Sequence, residues 1–191
     1  MFDSLAYFVH ESGFITLLVM AWLSFYLVAT LWVFVYKSVM LKIYLEREAQ
    51  SLSKILNGKQ DMPEHPMFEV SKGFSKELLQ AWKHQIIKQS TTGLVLLSII
   101  SSTAPFIGLF GTVVEILSAF NSLGALGQAS FGVIAPIISK ALIATAGGIL
   151  TAIPAYSFYL ILKRKVYDVS VYVHMQTDIL SSRETSSIIK D

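Results

Sequence analysis

The amino-acid sequence predicts an all-α integral membrane protein with three transmembrane helices and long cytoplasmic helical extensions. Three observations carry this. Gly13 to Tyr36 runs twenty-four positions without Asp, Glu, Lys, Arg or His, and two further apolar stretches, 93–120 and 133–162, carry one charge each; about 20 apolar residues suffice to cross some 30 Å of hydrocarbon as a helix. Outside these stretches apolar residues recur at helical spacing, with no alternation of the kind a half-buried strand shows. Basic residues fall on one side only. Lys37, Lys42, Arg47, Lys54, Lys59, Lys72, Lys76, Lys83 and Lys88 precede the second stretch and Lys163, Arg164 and Lys165 follow the third, while 1–12 and 121–132 hold none, so the positive-inside rule puts the amino terminus outside and the carboxyl terminus in the cytoplasm.

The order is therefore an outer segment at 1–12, a first span at 13–36, a cytoplasmic helical loop at 37–92, a second span at 93–120, an outer loop at 121–132, a third span at 133–162, and a cytoplasmic carboxy-terminal helix and tail at 163–191. Asp3 and Glu11 precede the first span. A cleaved signal peptide needs a basic start and a shorter apolar core, so this is a retained span. Leu41, Leu45, Leu52, Ile55 and Leu56 continue a helix beyond it, and Asn57-Gly58 reads as a helix stop before a loop at Asp61–Pro66. From Ser75, the pattern of Leu78, Trp82, Ile86 and Ile87 predicts a second helix, continuous with the second span and able to pair with the first beneath the bilayer. After the third span Val166, Val169, Val173, Gln176 and Leu180 extend one face, and Ser181 to Asp191 reads as a solvated, mobile tail.

Composition excludes several functions. The net charge of +2 averages a basic cytoplasmic portion with an uncharged outer loop and implies no nucleic-acid partner. With no cysteine, neither a disulfide framework nor a thiolate metal site can form. His10, His65, His84 and His174 are scattered without ligand spacing. The cytoplasmic loop is too short for an enzyme domain and holds no nucleophile–base pair or phosphate-binding loop. No catalytic residue, metal or cofactor is expected, and Trp82 and His84 read as parts of a helix core and surface.

The second and third spans are rich in small and hydroxylated residues. Ser101, Ala104, Gly108, Thr112 and Glu115 share one broad face, with Gly111 beside them, and Ala141, Thr145, Gly148, Ala152 and Ala155 recur at spacings of three and four. Such stripes let membrane helices pack closely, with hydroxyls bonding across; combined with charge they also suit the wall of a polar cavity. Both readings stand. Pro105, Pro136 and Pro154 each remove a backbone donor and can kink their helices. Glu115 and Lys140 are the two charges within the spans. An ionisable group at membrane depth is a functional-site hypothesis by default.

Ala104-Pro-Phe-Ile-Gly-Leu-Phe-Gly-Thr112-Val, then Val133-Ile-Ala-Pro-Ile-Ile-Ser-Lys-Ala-Leu-Ile-Ala-Thr145-Ala and Ala152-Ile-Pro-Ala155, resembles the TolQ and ExbB proton-channel family, relatives of the flagellar stator protein MotA. The likeness covers the second and third spans in detail and the whole chain in topology; MotA is more distant and has four spans. It implies a proton-motive-force-driven motor subunit: a homopentamer in the inner membrane of a Gram-negative bacterium, enclosing two copies of a single-span TolR or ExbD partner. A partner aspartate carries protons past threonines matching Thr112 and Thr145, and force passes outward through TolA or TonB. The short outer amino terminus leans toward TolQ and envelope maintenance, with ExbB-type nutrient import as the alternative. A non-conducting membrane scaffold is the alternative of another class.

This chain departs from the family pattern. The family commonly has glutamate where Lys140 stands and glycine where Glu115 stands, and Leu160 replaces a frequent asparagine. With Thr112 and Thr145 level on antiparallel helices, Glu115 and Lys140 lie about 4.5 and 7.5 Å outward at roughly 1.5 Å per residue. That suggests an ion pair; the competing reading makes Glu115 a proton relay or a cation attractor.

Overall fold

The computed structural model describes residues 14–56, 76–126 and 131–188. They form four helices: α1 (Phe14–Leu56), α2 (Lys76–Thr91), α3 (Leu94–Leu126) and α4 (Phe131–Ile188). Apart from a turn at Thr92 and Gly93 every described residue is helical, and three helical stretches are long and apolar enough to cross a membrane. The Asn57-Gly58 stop and the Asp61–Pro66 loop lie outside the described residues.

Two expectations are corrected. The helix that precedes the second span does not run on into it, because α2 ends at Thr91 and Gly93 has φ 93°. That left-handed conformation suits glycine and closes a helix. The Thr92 amide donates to Lys88 O at 3.2 Å and its hydroxyl to the same carbonyl at 2.9 Å, while the Thr91 hydroxyl donates to Ile87 O at 3.0 Å. Ile87 O and Lys88 O, in the last turn of α2, thereby gain partners without a further helical turn. The second correction is at the carboxyl end, where α4 continues to Ile188 through the stretch read as a tail. Nothing between Ser181 and Ile188 is glycine or proline, so no residue there stops a helix already under way.

The described chain divides into two compact units. The first comprises α1 up to Val33 with Leu96–Tyr159 of α3 and α4. Its core is thin: Val19, Leu23, Ala104, Ala144 and Ala152, with Tyr26 and Ile107 against it. Small residues let α3 and α4 touch through their backbones. A Cβ added at Gly108 would lie 2.6 Å from Ala144 O, and one at Gly148 would lie 2.6 Å from Ala104 O. Large side chains point away, among them Phe25 (69% exposed), Phe106 (70%) and Leu150 (67%). This inversion is what a lipid solvent requires, since hydrocarbon gives no hydrophobic drive for burying Leu or Phe and helix contact relies on close packing.

The second unit, Phe34–Val95 with Leu160–Asp191, is packed the opposite way. Leu41, Leu79, Trp82, Ile86, Leu162, Val169 and Val173 are fully buried, a core of large apolar side chains of the kind water drives together. Here α1 and α4 run parallel, with Ser38 facing Lys165 and Glu48 facing Gln176. Lys37 is buried, and its ammonium donates to Gln89 O at 2.9 Å, while Tyr44 donates to Gln89 Oε1 at 3.3 Å. Gln176, fully buried, donates to Glu48 O at 2.9 Å and to Glu48 Oε2 at 3.0 Å. Burial pushes the Glu48 carboxyl above its ordinary range, partly offset by the Gln176 hydrogen bond.

Two predictions follow from these contacts. Gly148→Ala, which drives a methyl group into the Ala104 carbonyl, is expected to destabilise the first unit by about 1–3 kcal/mol, read as a lowered Tm in detergent. Glu48 supplies a pH dependence in the second unit. Because its folded value is raised, its contribution to stability is full below the ordinary glutamate value and is lost as pH rises through the folded one. Tm should therefore fall over that window in the natural chain, and Glu48→Gln should flatten the fall.

Candidate functional site

Antiparallel packing sets the site. Gly108 meets Gly148, Gly111 meets Ala144, and one turn along the contact Thr112 reaches both Thr145 and Ala141. The Thr112 and Thr145 hydroxyls are hydrogen-bonded to each other. Thr112 is buried and its hydroxyl is also within reach of Gly108 O at 3.2 Å and Ala141 O at 3.3 Å. A hydroxyl has one proton to give and two lone pairs to receive. Thr145 can donate to Thr112 while Thr112 donates to a carbonyl, or the direction can reverse. The pair is a hydrogen-bonded link of two hydroxyls between two helices.

The neighbouring residues divide by role. Gly108, Gly111, Gly148 and Ala152 are buried and keep the helices close. Gly111 does so on another side, since a Cβ there would meet Val19 Cγ1 and Ala144 Cβ at 3.1 Å. Ser101 is half-buried and donates to Ser98 O of its own helix at 2.9 Å, and Ser102 and Thr103 likewise fold back. Those hydroxyls satisfy local carbonyls and do not bridge helices. Pro154 sits half-buried within α4, and Pro105 and Pro136 also lie inside helices that continue past them.

Glu115 is half-buried on α3, three residues beyond Thr112. Its Oε2 is buried and has no hydrogen-bond partner among the described residues. Lys140, half-buried on α4, lies at a similar level on the facing helix. Among the described residues no group of three His, Cys, Asp or Glu side chains could hold a metal ion.

Comparison with known proteins gives these positions a family. The model of the MotA/TolQ/ExbB proton channel family matches residues 45–175, more than half the chain. The chain belongs to the MotA/TolQ/ExbB family. It is 76% identical over 189 residues to the putative biopolymer transport protein ExbB-like 1 of Helicobacter pylori strain J99, covering 96% of this chain and 100% of that one. More distant relatives within the family are the biopolymer transport protein ExbB of Neisseria gonorrhoeae, 46% identical over 80 residues (42% of this chain, 36% of that one), and the Tol-Pal system protein TolQ of Pseudomonas aeruginosa, 48% identical over 63 (33% and 27%). Membership makes this a membrane proton-channel protein, and the threonines of its second and third spans stand in contact.

The sequence did not single out Lys37, Gln89 or the Glu48–Gln176 pair. Lys37 is the first charge after the long apolar run, which marks a span end without showing whether the charge turns inward. Gln176 stands in an otherwise valine-rich row, and that position was the available signal of a buried polar contact.

If the threonine bond matters to the fold, a double-mutant cycle of Thr112→Val and Thr145→Val is expected to show a coupling of about 0.5–1.5 kcal/mol in detergent-solubilised protein. Additive effects would mean that the hydroxyls sit together without contributing.

Proposed function

We propose that this chain is a proton-driven motor subunit of the inner membrane of a Gram-negative bacterium, working as a homopentamer around two copies of a TolR- or ExbD-type single-span protein. The observation that carries this is the Thr112–Thr145 hydroxyl pair at membrane depth, on small-residue faces of two spans, in a chain of the proton-channel family. Hydroxyls that can reverse their donor direction pass a proton without charging the protein for longer than the transfer takes. In this reading Thr112 and Thr145 line the pathway, Ser101, Gly108, Gly111, Gly148, Ala152 and Pro154 form the packed face around it, and the partner's carboxylate carries the proton between the two sides.

The amino terminus lies in the periplasm and the carboxyl terminus in the cytoplasm, as the one-sided placement of Lys37–Lys88 and Lys163–Lys165 supports. Force leaves the ring through a TolA- or TonB-like protein, and the chain itself makes or breaks no covalent bond. The near-full-length likeness to an ExbB-like protein favours a TonB-type system energising outer-membrane uptake. A Tol-Pal role is the second reading, favoured by the TolQ likeness.

Proton flux separates the motor from a non-conducting scaffold. In liposomes holding the whole complex, Thr145→Val is expected to lower pH-driven flux about tenfold, in keeping with the loss of a proton-transfer group, and Thr145→Ser to keep most of it. Equal flux in the natural chain and Thr145→Val would remove the hydroxyl relay, and no flux in either would favour the scaffold.

A further inference from the structure

Glu115 is the single charge of α3, and no hydrogen bond satisfies its buried Oε2 among the described residues. Its neighbours along the helix, Val113, Val114, Ile116 and Leu117, are apolar. Three residues from Thr112, it sits about 4.5 Å further along the axis and some 60° round the helix. The antiparallel register that sets Gly108 on Gly148 and Thr112 on Thr145 and Ala141 brings the stretch of α4 near Lys140 to the level of Glu115. From α4 the ionisable group at that level is Lys140, and α1 carries none between Phe14 and Phe25.

A purely structural carboxylate in the membrane is expected to have its oxygens filled by donors, because an unsatisfied buried acceptor is destabilising. Glu115 Oε2 accepts no hydrogen bond from the described residues and lies one turn from a hydroxyl pair. We infer that Glu115 is a proton-binding group of the transport path, on the side of the Thr112–Thr145 pair towards Leu126. The carboxylate takes a proton from hydronium to give the neutral acid and water, then returns it to a water or hydroxyl nearer the threonines; no bond other than O–H is made or broken. This rests on the proton-channel reading above and adds a site on this chain to the carboxylate expected on the partner.

The test uses inner-membrane vesicles with the whole complex and N,N′-dicyclohexylcarbodiimide, a lipid-soluble reagent that adds to protonated carboxyls. The expected result is a stable reagent adduct on the peptide bearing Glu115, flux about tenfold lower in Glu115→Gln, and flux largely kept in Glu115→Asp. Normal flux in the natural chain with Glu115 unlabelled overturns this inference alone. So does recovery of flux when Lys140→Met is added to Glu115→Gln, which would make the two residues a structural pair. Absence of flux in the natural complex overturns the parent reading and this inference together.

Discussion

The contact between Gly108 and Gly148 governs everything in the membrane portion of this protein. Each glycine sits where a single methyl group would overlap a carbonyl of the other helix, so α3 and α4 meet backbone to backbone. At that separation two short side chains one turn further along, Thr112 and Thr145, can reach each other directly. With larger residues at the crossing, the helices would stand apart and each hydroxyl would turn back to its own carbonyl, as Ser101 and Thr103 do. The hydroxyl contact is therefore a consequence of packing, and the packing of the absence of side chains.

The two units show one polymer meeting two solvents. In the first, small residues are buried and large apolar ones exposed, because against lipid the gain comes from close backbone contact. In the second, tryptophan, leucine, isoleucine and valine fill the interior and the hydrophobic effect applies as in any water-soluble bundle. Buried polar groups are handled accordingly. Lys37 finds a carbonyl at the end of α2, and Glu48 shares Gln176, while Glu115 keeps one oxygen unmatched.

Much of this was legible in the sequence because the signals are long and additive. Three apolar stretches announce three spans by length alone, and the stripes of glycine and alanine announce the faces that touch. The threonines were legible through the motif around them, which names residues but not contacts. What the pattern could not supply was the outcome of local competition. A basic helix running toward a span reads as continuous, yet two threonine hydroxyls and a glycine at φ 93° end it. A polar run such as Ser181 to Ile188 reads as a tail, yet a helix already nucleated and free of breakers carries on. Glu115 and Lys140 suggested a pair by their heights on two helices; rotamers and azimuth decide whether side chains at one level meet, and spacing does not encode either.

In the proposed motor, two hydroxyls between helices of one chain serve proton transfer only if a partner carries protons past them, so the function rests on assembly. Native mass spectrometry of the complex extracted gently from its own membranes tests it most directly, reading stoichiometry and co-purifying protein together. Five copies of this chain with two copies of a single-span protein bearing an intramembrane aspartate is the expected result, and the identity of that protein would separate a Ton from a Tol system. Five copies with no such partner, or a different stoichiometry, would contradict it.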